Sequence, residues 1–569
     1  MTRYIGVATD DMDSNVLRQQ LASQDLTGSG AGRIGYDGET VEEALDKAKA
    51  FPSYAELRAY SGMAEVIHIT NAGVEGFFVE TASVSPVDNN GTRIVDASGR
   101  LWQRIYTGPV LPQWFGAKAD GVSDDTAAIQ SAITVVSQAG GGFVYLPQGT
   151  YLLSAQLSIS TAAVRIEGAS RFSTLLMQST LNSKIFAITA DFCHIANISF
   201  SYSGTPVTGG TAIDCAGSYC TMKDFIVRRS HTAVSWHEGV AGKISDFELL
   251  NHEAIGLLVS NLNDLFIARA IINAGAPERG TLGGIRVINK VEAFVCTDVD
   301  ILLGQFSMTM DATANTIGNR PAYNNFTNVF FDSAVNATQV NKCVETEFVG
   351  CWFSGGRAGG GAPGVSVTSS QSIRFTNTRF FNCGGSGCNV AASSTDITFT
   401  ACKAESNSFT SGPGVAHGFN FATGCTEFQL IGCTASNGLY SGTQAYGIFI
   451  NGTCDKFVVS GCNLNGNATG PMLDGSAATA DKTVGGNIGY RTSNTGSGVV
   501  ASGTTAVVVS HGLAVTPRIQ DIFLTRQGTN AGSTDMYASN ITASGFTINL
   551  VAAPSINATI SWMARCAGA

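Results

Sequence analysis

Charged side chains are scarce: Asp, Glu, Lys and Arg make up 13% of the 569 residues, against about 25% in an ordinary soluble domain. That shortage argues against charged helical bundles and coiled coils. Proline is also rare, at 13 residues. No basic tract occurs, and 33 basic against 43 acidic side chains leave a net charge of −10. A chain without a cationic stripe is a poor match for a phosphate backbone, so the reading expects no nucleic-acid partner. No apolar run approaches the 18 residues of a membrane span, so it expects no membrane insertion. The opening MTRYIGVATDDMDSN has no basic segment followed by an apolar one. It therefore reads as lacking a secretory signal, with synthesis in a cytoplasm. The 14 cysteines contain no C-x-x-C pair. That spacing gives no support to a zinc or thioredoxin site, and free core thiols are expected.

What is abundant is glycine, at 66 residues, together with a 44% hydrophobic fraction. Many turns with ample core material point to a repetitive all-β chain. The length alone would suggest three or four domains, but the pattern along the chain divides it differently. Val41 to Lys49 reads as a short helix, and a second covers Ser53 to Ala59. Residues 64–106 read as a small strand-rich module. In the next segment, WFGAKADGVSDDTAAIQ (114–130), Asp124 or Asp125 can cap a helix with the apolar stripe Ile129, Ile133 and Val136. Gly140 to Gly142 ends that helix, and a strand starts at Phe143. Such a helix can cover the open end of a β stack.

From about 143 to 475 the chain repeats. Aligning the inward residues Ile198, Phe225, Phe247, Ala270, Val299, Val329, Cys351, Thr378, Cys402, Cys433 and Cys462 gives ten steps with a mean of 26.4 residues. That period is one coil of a parallel β-helix per step, with strands stacked about 4.8 Å apart. The residue before each is Asn197, Asp224, Asp246, Arg269, Asp298, Asn328, Gly350, Asn377, Ala401, Gly432 or Gly461. Nine of these eleven are Asn, Asp or Gly, the residues that tolerate a left-handed corner. After about 478 the pattern changes to short strands, read as a C-terminal β-sandwich that closes the solenoid. The fold expected is thus all-β. It is a parallel β-helix of about 11 or more coils (114–477), after a small α/β head (51–113) and before a sandwich (478–569).

The motif WFGAKADGVSDDTAAIQSAI, followed by GGGFVYLPQGTYLL, resembles the opening of the pectate-lyase-like right-handed β-helix of bacteriophage tailspikes and capsule depolymerases. Ala119 stands where that pattern usually has Gly. SYAELRAY and GRLWQRIY are similar to the head module that often precedes it, and the segment from SHGLAVTPRIQDI onward to the sandwich that ends several such spikes. The resemblance implies a homotrimer on the virion tail. It also implies attachment to a phage tail or adaptor protein through residues 1–50, and a bacterial surface polysaccharide, capsule or O-antigen, as substrate. It carries over no catalytic residue.

Glycoside hydrolysis needs two carboxyls facing one linkage. A lyase needs a base and a cation. The residues following the inward column face outward and include Glu248, Asp300, Trp352 and Arg379. Glu248 and Asp300 are two coils apart, about 9.6 Å between backbones. With side-chain reach this is compatible with an inverting pair, although the apolar neighbours Ile226, Ile271 and Phe330 fit a subunit seam equally well. Trp352 suits a sugar ring and Arg379 a uronate. A second cluster holds Arg228, Arg229, His231, Trp236, His237, Glu238, His252 and Glu253. Its Glu residues are further catalytic candidates and the others substrate-binding candidates, against the plainer reading of a solvated loop edge. The corner carboxylates Asp224, Asp246 and Asp298 read as structural. The histidine spacing lacks a metal-ligand pattern, and no cofactor is expected. Three readings remain open: a depolymerising tailspike (hydrolase or lyase), a non-catalytic polysaccharide-binding adhesin, and a cellular pectate-lyase-like enzyme.

Overall fold

The computed structural model describes residues 35–36, 39–40, 47–313, 317–356, 361–438, 443–477, 479–528 and 535–566. Most of the expected N-terminal helix, 41–46, and most of the expected attachment segment lie outside them. The end of that helix is corrected, because Ala48–Phe51 is a strand paired in parallel with Val66–Ile69. Edge pairing there overrides the helical spacing. The second helix, α1 (Tyr54–Ala59), starts at Ser53, whose hydroxyl accepts the amide of Glu56. It packs by the buried Leu57 on a five-stranded sheet whose core includes Ile67, Phe78, Ile94 and Trp102.

Helix α2 (Thr126–Gln138) buries Ile129, Ile133 and Val136 against the first coil. The two candidate caps divide the work. Asp124 accepts the amide of Thr126 at 3.0 Å. Asp125 instead ties the preceding loop by accepting from Lys118 N at 2.7 Å and Ala119 N at 3.0 Å.

Beyond α2 the chain is a parallel β-helix. One 13-stranded sheet and one 21-stranded sheet stack coil upon coil. The larger sheet contains β1 (His194–Tyr202), β2 (Thr221–Arg228), β3 (Lys243–Leu250), β4 (Phe266–Asn273), β5 (Val295–Leu302) and β6 (Asn325–Ala334). Register follows the sequence alignment without a slip: Ile198, Phe225, Phe247, Ala270, Val299 and Val329 stand in one line. All eleven corner residues, from Asn197 to Gly461, have φ between 49° and 66°. Arg269 and Ala401 do so too, although neither is Asn, Asp or Gly.

The interior stacks aromatic rings from coil to coil. Phe326, Phe348, Phe375 and Phe399 lie ring on ring, with centroids 4.9–5.0 Å apart and planes within 11°. Every cysteine is free and buried. After the last coil, two three-stranded antiparallel sheets enclose a separate core that includes Phe546, Ile548, Ile560 and Trp562.

Candidate functional site

Each long strand from β1 to β5 bends at its left-handed corner, and the side chains on either side of the bend line a groove of about 1030 Å³. The corner carboxylates Asp224, Asp246 and Asp298 line it together with Glu167, Glu248, Arg165, Arg171, Lys223, Arg269 and His194. The corner column therefore both turns the backbone and arms the groove. Its structural reading was incomplete rather than wrong.

Arg171 organises the centre. It comes from the loop before Thr174, and its carbonyl accepts the Ser199 hydroxyl at 2.5 Å. Its guanidinium reaches Asp224 at 3.2 Å, Glu248 at 3.6 Å and the Asp246 carbonyl at 3.2 Å. This crossing segment overlies the outward ladder where Ser199 and Ile226 are buried, so the two residues do not face solvent as their alternation implied. Arg269 grips Asp246 with two hydrogen bonds of 2.6 and 2.8 Å. That bonding, against a small opposing effect of burial, holds the Asp246 carboxyl down at about 2. The Asp298 carboxylate accepts from the Asn328 amide at 2.7 Å.

Glu248, Ile271 and Asp300 are consecutive rungs of one ladder, which keeps the expected two-coil spacing. Glu248 lies in the groove; Asp300 stands just below it, two residues past the groove-lining Asp298 on β5. Burial first, and the nearby Asp332 charge second, push the Asp300 carboxyl above its ordinary range. The ladder continues through Phe330 and Trp352 to Arg379. Phe330 and Trp352 meet edge to face at 5.6 Å. The Arg379 guanidinium sits over the rings of Trp352 (5.6 Å) and Phe381 (4.2 Å) and pairs with Glu405.

The histidine cluster does not assemble. Trp236 is 1% exposed and belongs to the core, so it cannot meet a sugar. His252 is sealed at 0% exposure, and burial drives its imidazole down to about 3, so it cannot reach a ligand. His237 points to Asp214 at 3.2 Å on the 13-stranded sheet, and Glu238 follows it in a left-handed turn. Arg228 ends β2 on the other sheet, donating to Ser199 at 3.4 Å, and Arg229 turns away in a left-handed conformation. Half-buried His231 lies beside Glu253, which is paired with Arg279 at 3.2 Å. Closeness in sequence put these residues together, but consecutive strands of one coil belong to different sheets.

Sequence reasoning missed Arg165, Glu167, Arg171, Lys223 and His194. The outward column of the sequence analysis continues upward from Ser199 to Leu175, whereas Arg165, His194 and Thr221 stand in a separate register line before the corner; only a second column drawn there would have found Arg165 and His194.

Three family models match. They describe a phage tail protein small four-stranded β-sheet domain (residues 50–107), a pectate-lyase-like rhamnogalacturonase A/epimerase (113–198) and a right-handed β-helix region (309–488). Mannuronan C5-epimerase AlgE1 of Azotobacter vinelandii is 68% identical over 40 residues, 7% of this chain and 3% of the epimerase. Depolymerase 1, capsule KN3-specific, of Klebsiella phage KN3-1 is 27% identical over 210 residues, 35% of this chain and 26% of the depolymerase. The chain thus spans a small part of either relative. Tailspike protein gp49 of Pseudomonas phage LKA1 superposes with a TM-score of 0.49 at 13% identity, covering 81% of this chain and 100% of that one. The fold is that of the pectate-lyase-like right-handed parallel β-helices. Within that class the chain resembles the bacteriophage tailspike depolymerases.

Proposed function

We propose that this chain is a phage tailspike that binds a bacterial surface polysaccharide and cleaves its glycosidic bonds by inverting hydrolysis. The observation that carries this reading is the pair Glu248 and Asp300. One carboxyl lies beside a guanidinium; the other, two rungs away, is raised by burial and a like charge. A carboxyl raised in this way suits the acid role, which leaves the base role to its partner beside the guanidinium. A separation of about 9.6 Å between their strands leaves room for the attacking water of an inverting mechanism. Asp300 protonates the leaving oxygen and Glu248 activates the water. Arg171 positions Glu248 and Asp224, while Phe330, Trp352 and Arg379 hold sugars further along the ladder. Assembly as a homotrimer and attachment to a phage tail or adaptor protein belong to the same reading.

To test it, purified protein is applied to encapsulated strains and the released oligosaccharides are analysed. New reducing ends without an unsaturated uronate are expected. Glu248→Gln and Asp300→Asn should each lose at least about 100-fold in rate, the scale of one acid or base, and full activity in both would remove the pair. Because Asp300 must carry a proton, activity should fall as pH rises through its raised pKa. An unsaturated uronate would instead select a lyase, for which His194 and Lys223 supply a base and a cation in the groove. Tight binding with unchanged polymer would select the adhesin.

A further inference from the structure

At the upper end of the groove, three side chains on successive coils are joined in a line. Thr221 Oγ1 lies 2.5 Å from His194 Nδ1, and His194 Nε2 lies 3.1 Å from Glu167 Oε1. Arg165 holds Glu167 through contacts of 2.7 and 2.6 Å. An ionised carboxylate can only accept, so the imidazole proton must sit on Nε2. The Nδ1 lone pair is then left to accept the threonine O–H. Burial keeps this ring's pKa below the usual histidine value, so the neutral, basic form dominates at pH 7. A hydroxyl hydrogen-bonded to a neutral imidazole that a carboxylate orients is the arrangement of an activated nucleophile.

We propose that Thr221, His194 and Glu167 form a hydrolytic triad that removes ester-linked acyl groups, such as O-acetyl, from sugars held in this groove. The inverting-hydrolysis reading, built on Glu248 and Asp300, uses none of these three residues. Thr221 Oγ1 gives its proton to His194 Nδ1 and bonds to the acyl carbonyl carbon. The bond from that carbon to the sugar oxygen then breaks, and the sugar oxygen takes the proton from Nδ1. Water next gives a proton to Nδ1 and attacks the acyl-threonine. Threonine leaves, recovers the proton, and a carboxylic acid departs. Lys243, the register partner of Thr221 on β3, and Lys223, two residues along β2, are both exposed. Their ammonium groups supply positive charge for the transient oxyanion. Thr221 and His194 are the catalytic residues; Glu167 is a positioning residue.

The test uses the full chain with 4-nitrophenyl acetate and with O-acetylated bacterial alginate. Acetate is followed by NMR, and polymer length is followed in the same samples by size-exclusion chromatography. Acetate release is expected from wild type and from Thr221→Ser. Thr221→Val and His194→Ala should lose at least about 100-fold, the scale of general-base activation. Glu167→Gln should lower kcat and leave KM, because its amide donates to Nε2 and moves the imidazole proton onto Nδ1. No acetate from either probe with wild type overturns the proposal, as does wild-type release by Thr221→Val. Acetate release without shortening supports the triad and counts against the glycosidic reading. Shortening without acetate release does the reverse.

Discussion

A single dihedral angle repeats down the chain, and its residue-level chemistry accounts for both shape and site. A non-glycine residue at φ near 55° is strained by roughly 1 kcal/mol, and Asn or Asp by less. Ala401 holds φ 52° with an exposed side chain that carries no polar group to bond the turn. Ala401→Gly should therefore raise stability by about 1 kcal/mol, read as a higher denaturant midpoint. Arg269, at φ 53°, gains from its two bonds to Asp246. The Asp246 pKa of about 2 is depressed below the ordinary value. The stabilisation from this pair is therefore present above about pH 4 and is lost as pH falls through about 2. Denaturant midpoints of wild type and Arg269→Ala should converge as the solution is acidified through that window.

At the scale of elements, the stacked phenylalanines tie each coil to the next. Phe375 touches Phe348 above and Phe399 below at 5.0 Å each. Phe375→Ala should cost about 3–5 kcal/mol, the range for truncating a buried aromatic ring. Hydrogen exchange should show the loss concentrated in neighbouring coils, because solenoid stability is summed between adjacent repeats. The coils were legible in the sequence because burial alternates with period two and the corner favours Asn, Asp or Gly. The strand at Ala48–Phe51 was not, because its pairing partner, Val66–Ile69, lies in the chain beyond α1. The groove was only partly legible. Glu248 fell in a column that alternation could place, whereas Arg171 reaches the site from a loop outside the repeat. Trp236 was misplaced because the inward and outward parity of the 13-stranded sheet was never assigned.

At the scale of the molecule, the groove and the aromatic ladder share one face of the solenoid. Four rungs separate Glu248 from Trp352, which is about 19 Å at the strand spacing. A glycan cut near Asp300 and stacked on Trp352 must therefore run along the solenoid axis for several sugars. Trp352→Ala should raise KM on long polymer by about 10-fold, equivalent to about 1.4 kcal/mol, while leaving kcat and the turnover of short oligosaccharides unchanged. The scarcity of charge noted at the outset gives this face its contrast. A chain of net charge −10 with 13% charged residues gathers four cations and five carboxylates around one groove. The most direct measurement is the molar mass of a cognate capsular polysaccharide, followed by light scattering with wild type and with Glu248→Gln or Asp300→Asn. The account predicts steady shortening by wild type, and binding without shortening by either variant. Wild-type protein that binds the polymer and leaves its mass unchanged would contradict it.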